Sequence, residues 1–168
     1  TARPAPPDFL PIQLIGNSTS SQTIGHLNPE FISYLQESLE KYPIPMISMG
    51  NDQLSISLGR PKELSQSLYQ LADTLRAGGF IPGWRNEDFA WLDQNGHKYF
   101  RLERSAFRAL GFRSMATHIN GYTTSNTLWL GRRSETKTTD PGKLDNIAAG
   151  GITADETPWV SARRELWE

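Results

Sequence analysis

Apolar residues along the 168-residue chain follow two spacings, and the switches between them mark out its elements. Phe9 to Gly16 (FLPIQLIG) reads as a strand, Asn17 to Gln22 as a polar turn, and Thr23 to Leu27 as the returning arm. Asn28-Pro29 then opens a helix, with Asn as its cap and Pro in its first turn. Its apolar face is Phe31, Tyr34, Leu35 and Leu39, and Pro43 and Pro45 end it. Met46–Met49 and Leu54–Leu58 flank a Gly50-Asn51-Asp52 turn and predict a hairpin. A second helix starts at Pro61, buries Leu64, Leu68, Leu71, Ala72 and Leu75, and stops at Gly78-Gly79. Glu87–Leu92 and His97–Leu102 meet across Asn95-Gly96, a strong hairpin signal, and Glu103–Leu110 is a short helix closed by Gly111.

Strand pairs alternating with helices make residues 1–113 an α+β domain. From residue 114 onward the pattern changes. Ser114–Tyr122 and Thr127–Arg133 are expected to form one hairpin with Asn120-Gly121 at its turn, followed by a Gly- and Pro-bearing loop from Ser134 to Lys143. Asp145–Ile152 is short and Gly-rich. Thr157-Pro158 starts a last helix, whose Trp159, Ala162 and Leu166 recur at i, i+3 and i+7 and are expected to pack inward.

Composition narrows what such a chain can be. Five Trp, seven Phe and 37% hydrophobic residues exclude a disordered or low-complexity protein. Seventeen basic and eighteen acidic residues leave a net charge of -1, so no global field gathers nucleic acid or an anionic membrane, and any anionic ligand must be captured locally. The absence of Cys removes disulfides, thiolate nucleophiles and Cys-ligated zinc, and makes the cytoplasm the expected compartment. No apolar run approaches the roughly 20 residues a membrane helix needs. The opening residues, with Pro4, Pro6 and Pro7, read as an extended lead-in rather than a signal or transit sequence.

The sharpest signal lies near residue 168. Gly150 is followed after five residues by Glu156, and Glu156 after seven by Arg164-Glu165-Leu166, then Trp167 and Glu168. Six fixed positions at these spacings arise by chance in a chain of this length with a probability of about 10⁻⁵ to 10⁻⁴. On a helix, Glu165 and Glu168 lie one turn apart on a common face and suit one hard divalent cation, while Arg164 is set to ion-pair with Glu156 in the preceding loop.

This pattern resembles the Nudix box, Gly-x5-Glu-x7-Arg-Glu-aliphatic-x-Glu, which continues with Glu-x-Gly-aliphatic beyond the residues present here. The resemblance extends to WLGRRSETKTTDPGKLDNIAAGG (Trp129–Gly151), GWRNEDFAW (Gly83–Trp91), FRLERSAFRALGF (Phe100–Phe112) and HINGY (His118–Tyr122). These segments are similar to Nudix hydrolases related to thiamine pyrophosphokinase-like proteins. The resemblance implies an N-terminal α+β domain followed, in residues 114–168, by the beginning of a Nudix α/β/α sandwich that a longer natural protein completes. It also implies a Mg²⁺- or Mn²⁺-dependent hydrolase whose substrate is a small-molecule diphosphate, such as damaged thiamine diphosphate cleaved to the monophosphate. Glu165 and Glu168 would be its catalytic and metal-holding carboxylates, with the Gly150 carbonyl as a further ligand, and the 168-residue chain alone is expected to hydrolyse little.

Arg132, Arg133 and Lys137 precede the box and are candidates to meet phosphate oxygens; of the two adjacent arginines, strand alternation lets at most one face the site. Trp84 and Arg85 are candidates to stack on and bind the rest of the substrate, with Trp91 and Tyr122 as further aromatic candidates weighed against core positions. His118 invites a general-base reading but fits packed structure better. A nucleotide-sugar or dinucleotide pyrophosphatase, and a non-catalytic diphosphate-binding or interaction module, are the alternatives. Oligomeric state has no signature in the sequence.

Overall fold

A computed structural model describes residues 5–16, 21–136 and 140–168. The architecture is α+β, and the chain divides into two compact units, Thr1–Ser114 and Met115–Glu168. Residues 1–4, most of the expected Asn17–Gln22 turn and Lys137 lie outside the described residues.

The first unit begins with β1 (Leu10–Ile15) and β2 (Ser21–Leu27), an antiparallel pair whose register slips once between Ile12 and Gln13. Asn28 does act as a cap, its side chain accepting from the Glu30 amide at 3.0 Å, but the first turn is a 3₁₀ turn, Pro29–Phe31, before α1 (Ile32–Lys41). The chain returns through β3 (Ile47–Met49) and β4 (Leu54–Ser57), and the sheet runs β2-β1-β4-β3 with β1 and β4 parallel. Period-two alternation in β1 and β4 turns Ile12, Leu14, Leu54 and Ile56 into the core.

That core is joined by α2 (Pro61–Ala77), whose buried Leu64, Leu68, Leu71, Ala72 and Leu75 are the stripe its spacing predicts. Next come β5 (Asp88–Leu92) and β6 (Lys98–Glu103), an antiparallel pair, and α3 (Arg104–Ala109). Phe100, Phe107 and Phe112 form an edge-to-face and tilted cluster with centroids 5.1 to 6.2 Å apart, and Trp91 stacks on Phe100. Gly25 makes room for the end of α3: a Cβ there would overlap the Leu110 carbonyl oxygen and the Phe112 ring.

Glu103 ends β6 rather than opening the helix. It is 1% exposed, and its carboxylate accepts from the amides of Ser105 at 2.6 Å, Ala106 at 3.3 Å and Arg85 at 2.8 Å. A buried carboxylate is tolerated there because three backbone donors satisfy it; they cap α3 and anchor the Trp84-Arg85 segment together.

In the second unit the single hairpin expected over residues 114–133 is replaced by three short pairings. β7 (Ala116–Ile119) pairs with β12 (Ala148–Gly151), β8 (Gly121–Tyr122) with β9 (Leu128–Trp129), and β10 (Gly131–Arg132) with β11 (Leu144–Asp145). Asn120-Gly121 is therefore no hairpin turn. The turn lies at Thr123–Thr127, with Asn126 in the left-handed region at φ 59°, and Thr123 Oγ1 accepting from the Thr127 amide at 3.1 Å. Asn120 is the break at which the strand changes partner. Asn146 pins it, bonding the Asn120 side chain through Nδ2 and sharing a 2.8 Å hydrogen bond with His118 Nδ1 through Oδ1.

α4 (Pro158–Trp167) begins as expected, with Thr157 Oγ1 accepting from the Val160 amide at 3.3 Å and Pro158 in the first turn. The face it buries is a different one from that expected. Trp159 and Leu166 are 73% and 57% exposed, whereas Ser161 is fully buried and Ala162, Arg164 and Glu165 are half-buried, so of the three residues expected to pack inward only Ala162 is partly covered. Ser161 and Arg164 face β12, where the Gly151 carbonyl accepts from both.

Candidate metal centre

The Gly150–Glu168 segment folds back on itself so that strand, loop and helix contribute to one cluster. Gly150 and Gly151 lie at the end of β12, opposite Thr117 and Ala116 of β7. The loop after β12 carries Glu156, which closes a turn on Thr153: its amide donates to the Thr153 carbonyl and its Oε2 accepts from the Thr153 amide, both at 3.1 Å. α4 then brings Arg164, Glu165 and Glu168 across the strand.

Arg164 is the hub. Its Nε donates to Glu156 Oε1 at 2.7 Å and its Nη2 to Glu156 Oε2 at 3.0 Å, a two-pronged pair; Nη2 also donates to the Gly151 carbonyl at 3.2 Å. Its Nη1 donates to Glu165 Oε1 at 2.5 Å and to Glu168 Oε1 at 3.2 Å. The Glu156 pairing is the one the spacing predicts. The contacts with Glu165 and Glu168 are additional, because the spacing alone assigns Arg164 to the loop carboxylate.

Electrostatics follow the geometry. The Arg164 hydrogen bond, aided by the Thr153 amide, pulls the Glu156 carboxyl down to about 2, and the carboxylates push the Arg164 guanidinium upward. Both Glu165 and Glu168 therefore sit beside a fixed positive charge.

Gly150 matters to the cluster for a steric reason that its spacing does not reveal. A Cβ at this position would fall on the Glu165 carboxylate, so the absent side chain is the cradle in which that carboxylate lies. Four further residues, not marked by the sequence pattern, complete the cluster. Gly151 supplies the carbonyl for Arg164 and Thr153 the amide for Glu156. The Ser161 and Thr117 hydroxyls lie 3.2 Å apart, each 3.5 Å from a strand carbonyl, Gly151 and Gly150 respectively, and their two protons serve two of these three contacts at a time. Only the Gly150-Gly151 doublet and a Ser four residues after the helix cap could have pointed to them.

Among the described residues, no group of three or more His, Asp or Glu side chains is disposed to hold a metal. Two carboxylates are nonetheless a sufficient protein contribution for Mg²⁺, which keeps several waters and commonly takes one or two carboxylates plus substrate phosphate. The donors fit that chemistry: Glu165 and Glu168 are hard oxygen ligands converging on a single cationic nitrogen, and Glu165 lies in a cradle shaped to its carboxylate.

The remaining candidates are held elsewhere. Arg132 Nη1 donates to the Gly142 carbonyl at 2.8 Å, and Arg133 Nη1 to Asp145 Oδ2 at 2.6 Å, a bond that lowers the Asp145 pKa. Both brace the loop between β10 and β11. Trp84 and Arg85 belong to the first unit: the Trp84 indole donates to Asn86 Oδ1 at 3.1 Å, with the Arg76 guanidinium 4.5 Å from the ring centroid, and Arg85 is exposed. Trp91 is core, 3% exposed, and Tyr122 is 69% exposed. His118 is tied to Asn146.

Comparison with known proteins gives these features a family. Residues 17–114 match the model described as a domain of unknown function, DUF4743, and the chain belongs to that family. It is similar to Nudix hydrolase 24, chloroplastic, of Arabidopsis thaliana, 31% identical over 149 residues that cover 86% of this chain and 39% of that protein. Nudix hydrolase 20, chloroplastic, of the same plant is 29% identical over 155 residues, 86% of this chain and 40% of that one. An uncharacterized Nudix hydrolase of Salmonella typhi, YfcD, is 36% identical over 81 residues, 46% of this chain and 44% of its own. The chain is thus a homologue of Nudix hydrolases, and it spans about two fifths of the length of the two plant proteins. No helix among the described residues is long and apolar enough to cross a membrane.

Proposed function

We propose that this chain supplies the metal-holding part of a Mg²⁺-dependent Nudix hydrolase that cleaves a diphosphate linkage in a small molecule, with damaged thiamine diphosphate, cleaved to the monophosphate, as the substrate class to test first. The observation that carries the reading is the seating of the Glu165 carboxylate in the Gly150 cradle, beside Glu168 and under the same Arg164 nitrogen. The names of the homologues support the hydrolase class; the thiamine substrate rests on the likeness of the segments Gly83–Trp91 and Trp129–Gly151. A cysteine-free chain suits the reducing cytoplasm.

In this reading Glu165 and Glu168 would hold Mg²⁺ or Mn²⁺, with the Gly150 carbonyl as a further oxygen donor; the ion would supply charge neutralisation for the diphosphate oxygens and a water made nucleophilic at neutral pH. The chain's own contribution is position. Glu156 fixes Arg164, Arg164 fixes the angle between loop and helix, and Gly150 keeps the Glu165 carboxylate against the strand. Only with the cation in place would this negatively charged cluster offer a nearly neutral protein a local place for a polyanion.

The test is phosphate or monophosphate release from a panel of thiamine, nucleotide-sugar and dinucleotide diphosphates with Mg²⁺ or Mn²⁺. Metal-dependent turnover is expected, with Glu165→Gln and Glu168→Gln each lowering kcat by about 10²-fold or more at unchanged far-UV circular dichroism. Near-normal turnover in either variant would remove that residue from the metal site. Equal or faster turnover of nucleotides would overturn the thiamine assignment, and no turnover of any diphosphate by the intact protein would leave a binding module.

A further inference from the structure

A guanidinium has five N–H donors, and Arg164 uses all five within this cluster. Three of them, from Nε and Nη2, engage Glu156 and the Gly151 carbonyl. The other two, both on Nη1, engage Glu165 and Glu168. The first set is firmly built: the Glu156 side chain is only 14% exposed, and its pair with Arg164 is two-pronged. In the second set Nη1 is shared between two separate carboxylates: Glu165, 16% exposed, is as sheltered as Glu156, whereas Glu168 is 61% exposed, so solvent screens that contact alone.

Charge points the same way. One guanidinium faces three carboxylates, so the cluster retains negative charge that a divalent cation would neutralise. A single nitrogen stands where the two oxygens of Glu165 and Glu168 converge, and that is also where a shared cation would be drawn.

Building on the metal-site reading above, we propose that Arg164 is an exchangeable counter-cation: Nη1 neutralises Glu165 and Glu168 in the metal-free protein and yields both carboxylates on metal uptake, while Nε and Nη2 stay on Glu156. Arg164 is then more than a brace. It keeps two neighbouring carboxylates from repelling each other before loading, and it competes with the metal for them. A purely orienting arginine makes the opposite prediction, since its loss would disorder the ligands and weaken binding.

The sign of that change is measurable with Mn²⁺ alone, by electron paramagnetic resonance on the full chain. The informative variant is Glu156→Gln with Arg164→Met, which removes one positive and one negative charge together and leaves the local net charge unaltered. Exchange predicts that this double variant binds Mn²⁺ about three- to tenfold more tightly than the wild type, as the competing cation is removed from one sheltered and one exposed carboxylate. Equal or weaker binding overturns it. Wild-type protein gives a second readout that needs no variant: in side-chain ¹⁵N spectra, added Mg²⁺ should shift the Arg164 Nη1 protons away from their hydrogen-bonded positions and leave the Nε–H in place. Movement of Nε–H with Nη1 unchanged overturns the exchange. A wild-type chain whose Mn²⁺ binding is insensitive to Glu165→Gln sinks the metal reading and the exchange with it, whereas a Glu165-dependent site with no gain in the double variant sinks the exchange alone.

Discussion

At Glu156 a single ion pair gives the second unit a pH dependence. The Arg164 hydrogen bond holds its folded-state carboxyl at about 2, below its ordinary value of 4.5. A group whose pKa is depressed on folding contributes stability above its unfolded value, and that contribution disappears as pH falls through the folded one. The stability of residues 115–168 should therefore decline between about pH 4.5 and pH 2, the window set by those two values. Glu156→Gln should flatten that slope while lowering stability at pH 7, as followed by the loss of native backbone amide NMR signals of residues 115–168 during urea unfolding at a series of pH values. An unchanged slope would mean that the pair does not persist in solution. Arg164, raised further from neutrality, contributes no titration of its own in that range.

At the scale of elements, the cluster depends on how closely α4 approaches β12. Ser161, fully buried, occupies the contact, and Gly150 leaves space for Glu165. Gly150 is not among the positive-φ glycines, so the backbone itself would accept alanine and the effect of a substitution isolates the cradle. Gly150→Ala should displace the Glu165 carboxylate, the far end of a flexible side chain, at a cost to the second unit of about 1 kcal/mol or less, and reduce Mn²⁺ affinity. Thermal unfolding and metal titration check the two parts separately; wild-type Mn²⁺ affinity would show that the carboxylate keeps its place beside the methyl group.

For the molecule as a whole, the two units are built on different terms. The first carries a continuous core of sheet, helices and phenylalanine cluster, while among the described residues of the second only Ala154 is a buried hydrophobic. Tyr122, Trp129, Leu144, Trp159, Leu166 and Trp167 are all exposed there. Short strands, hydrogen bonds and ion pairs hold the second unit with little apolar burial, which predicts easy local opening. In hydrogen exchange, amides of β7 and β12 should be less protected than those of β1 and β4 by about two orders of magnitude or more. Equal protection would mean that the polar contacts of the second unit hold it as firmly as the apolar core holds the first.

Local order determined much of this in advance. Proline and glycine punctuation, period-two alternation in β4 and the leucine stripe of α2 were enough to delimit most elements of the first unit, because each element's burial there agrees with its own periodicity. The spacing of Glu156 and Arg164 likewise anticipated their ion pair, since a loop leading directly into a helix leaves few ways for those side chains to meet. Tertiary structure decided what depends on distant partners. Residues 114–133 read as one hairpin, yet β7 leaves at Asn120 to pair with β12, a partner about thirty positions away that no local pattern encodes. α4 turns Ser161 and Arg164 onto β12, where the Gly151 carbonyl accepts from both, a placement that the apolar spacing of Trp159 and Leu166 does not encode. The same approach of strand to helix turned Gly150 into a cradle for Glu165, and gave Arg164 its second set of partners.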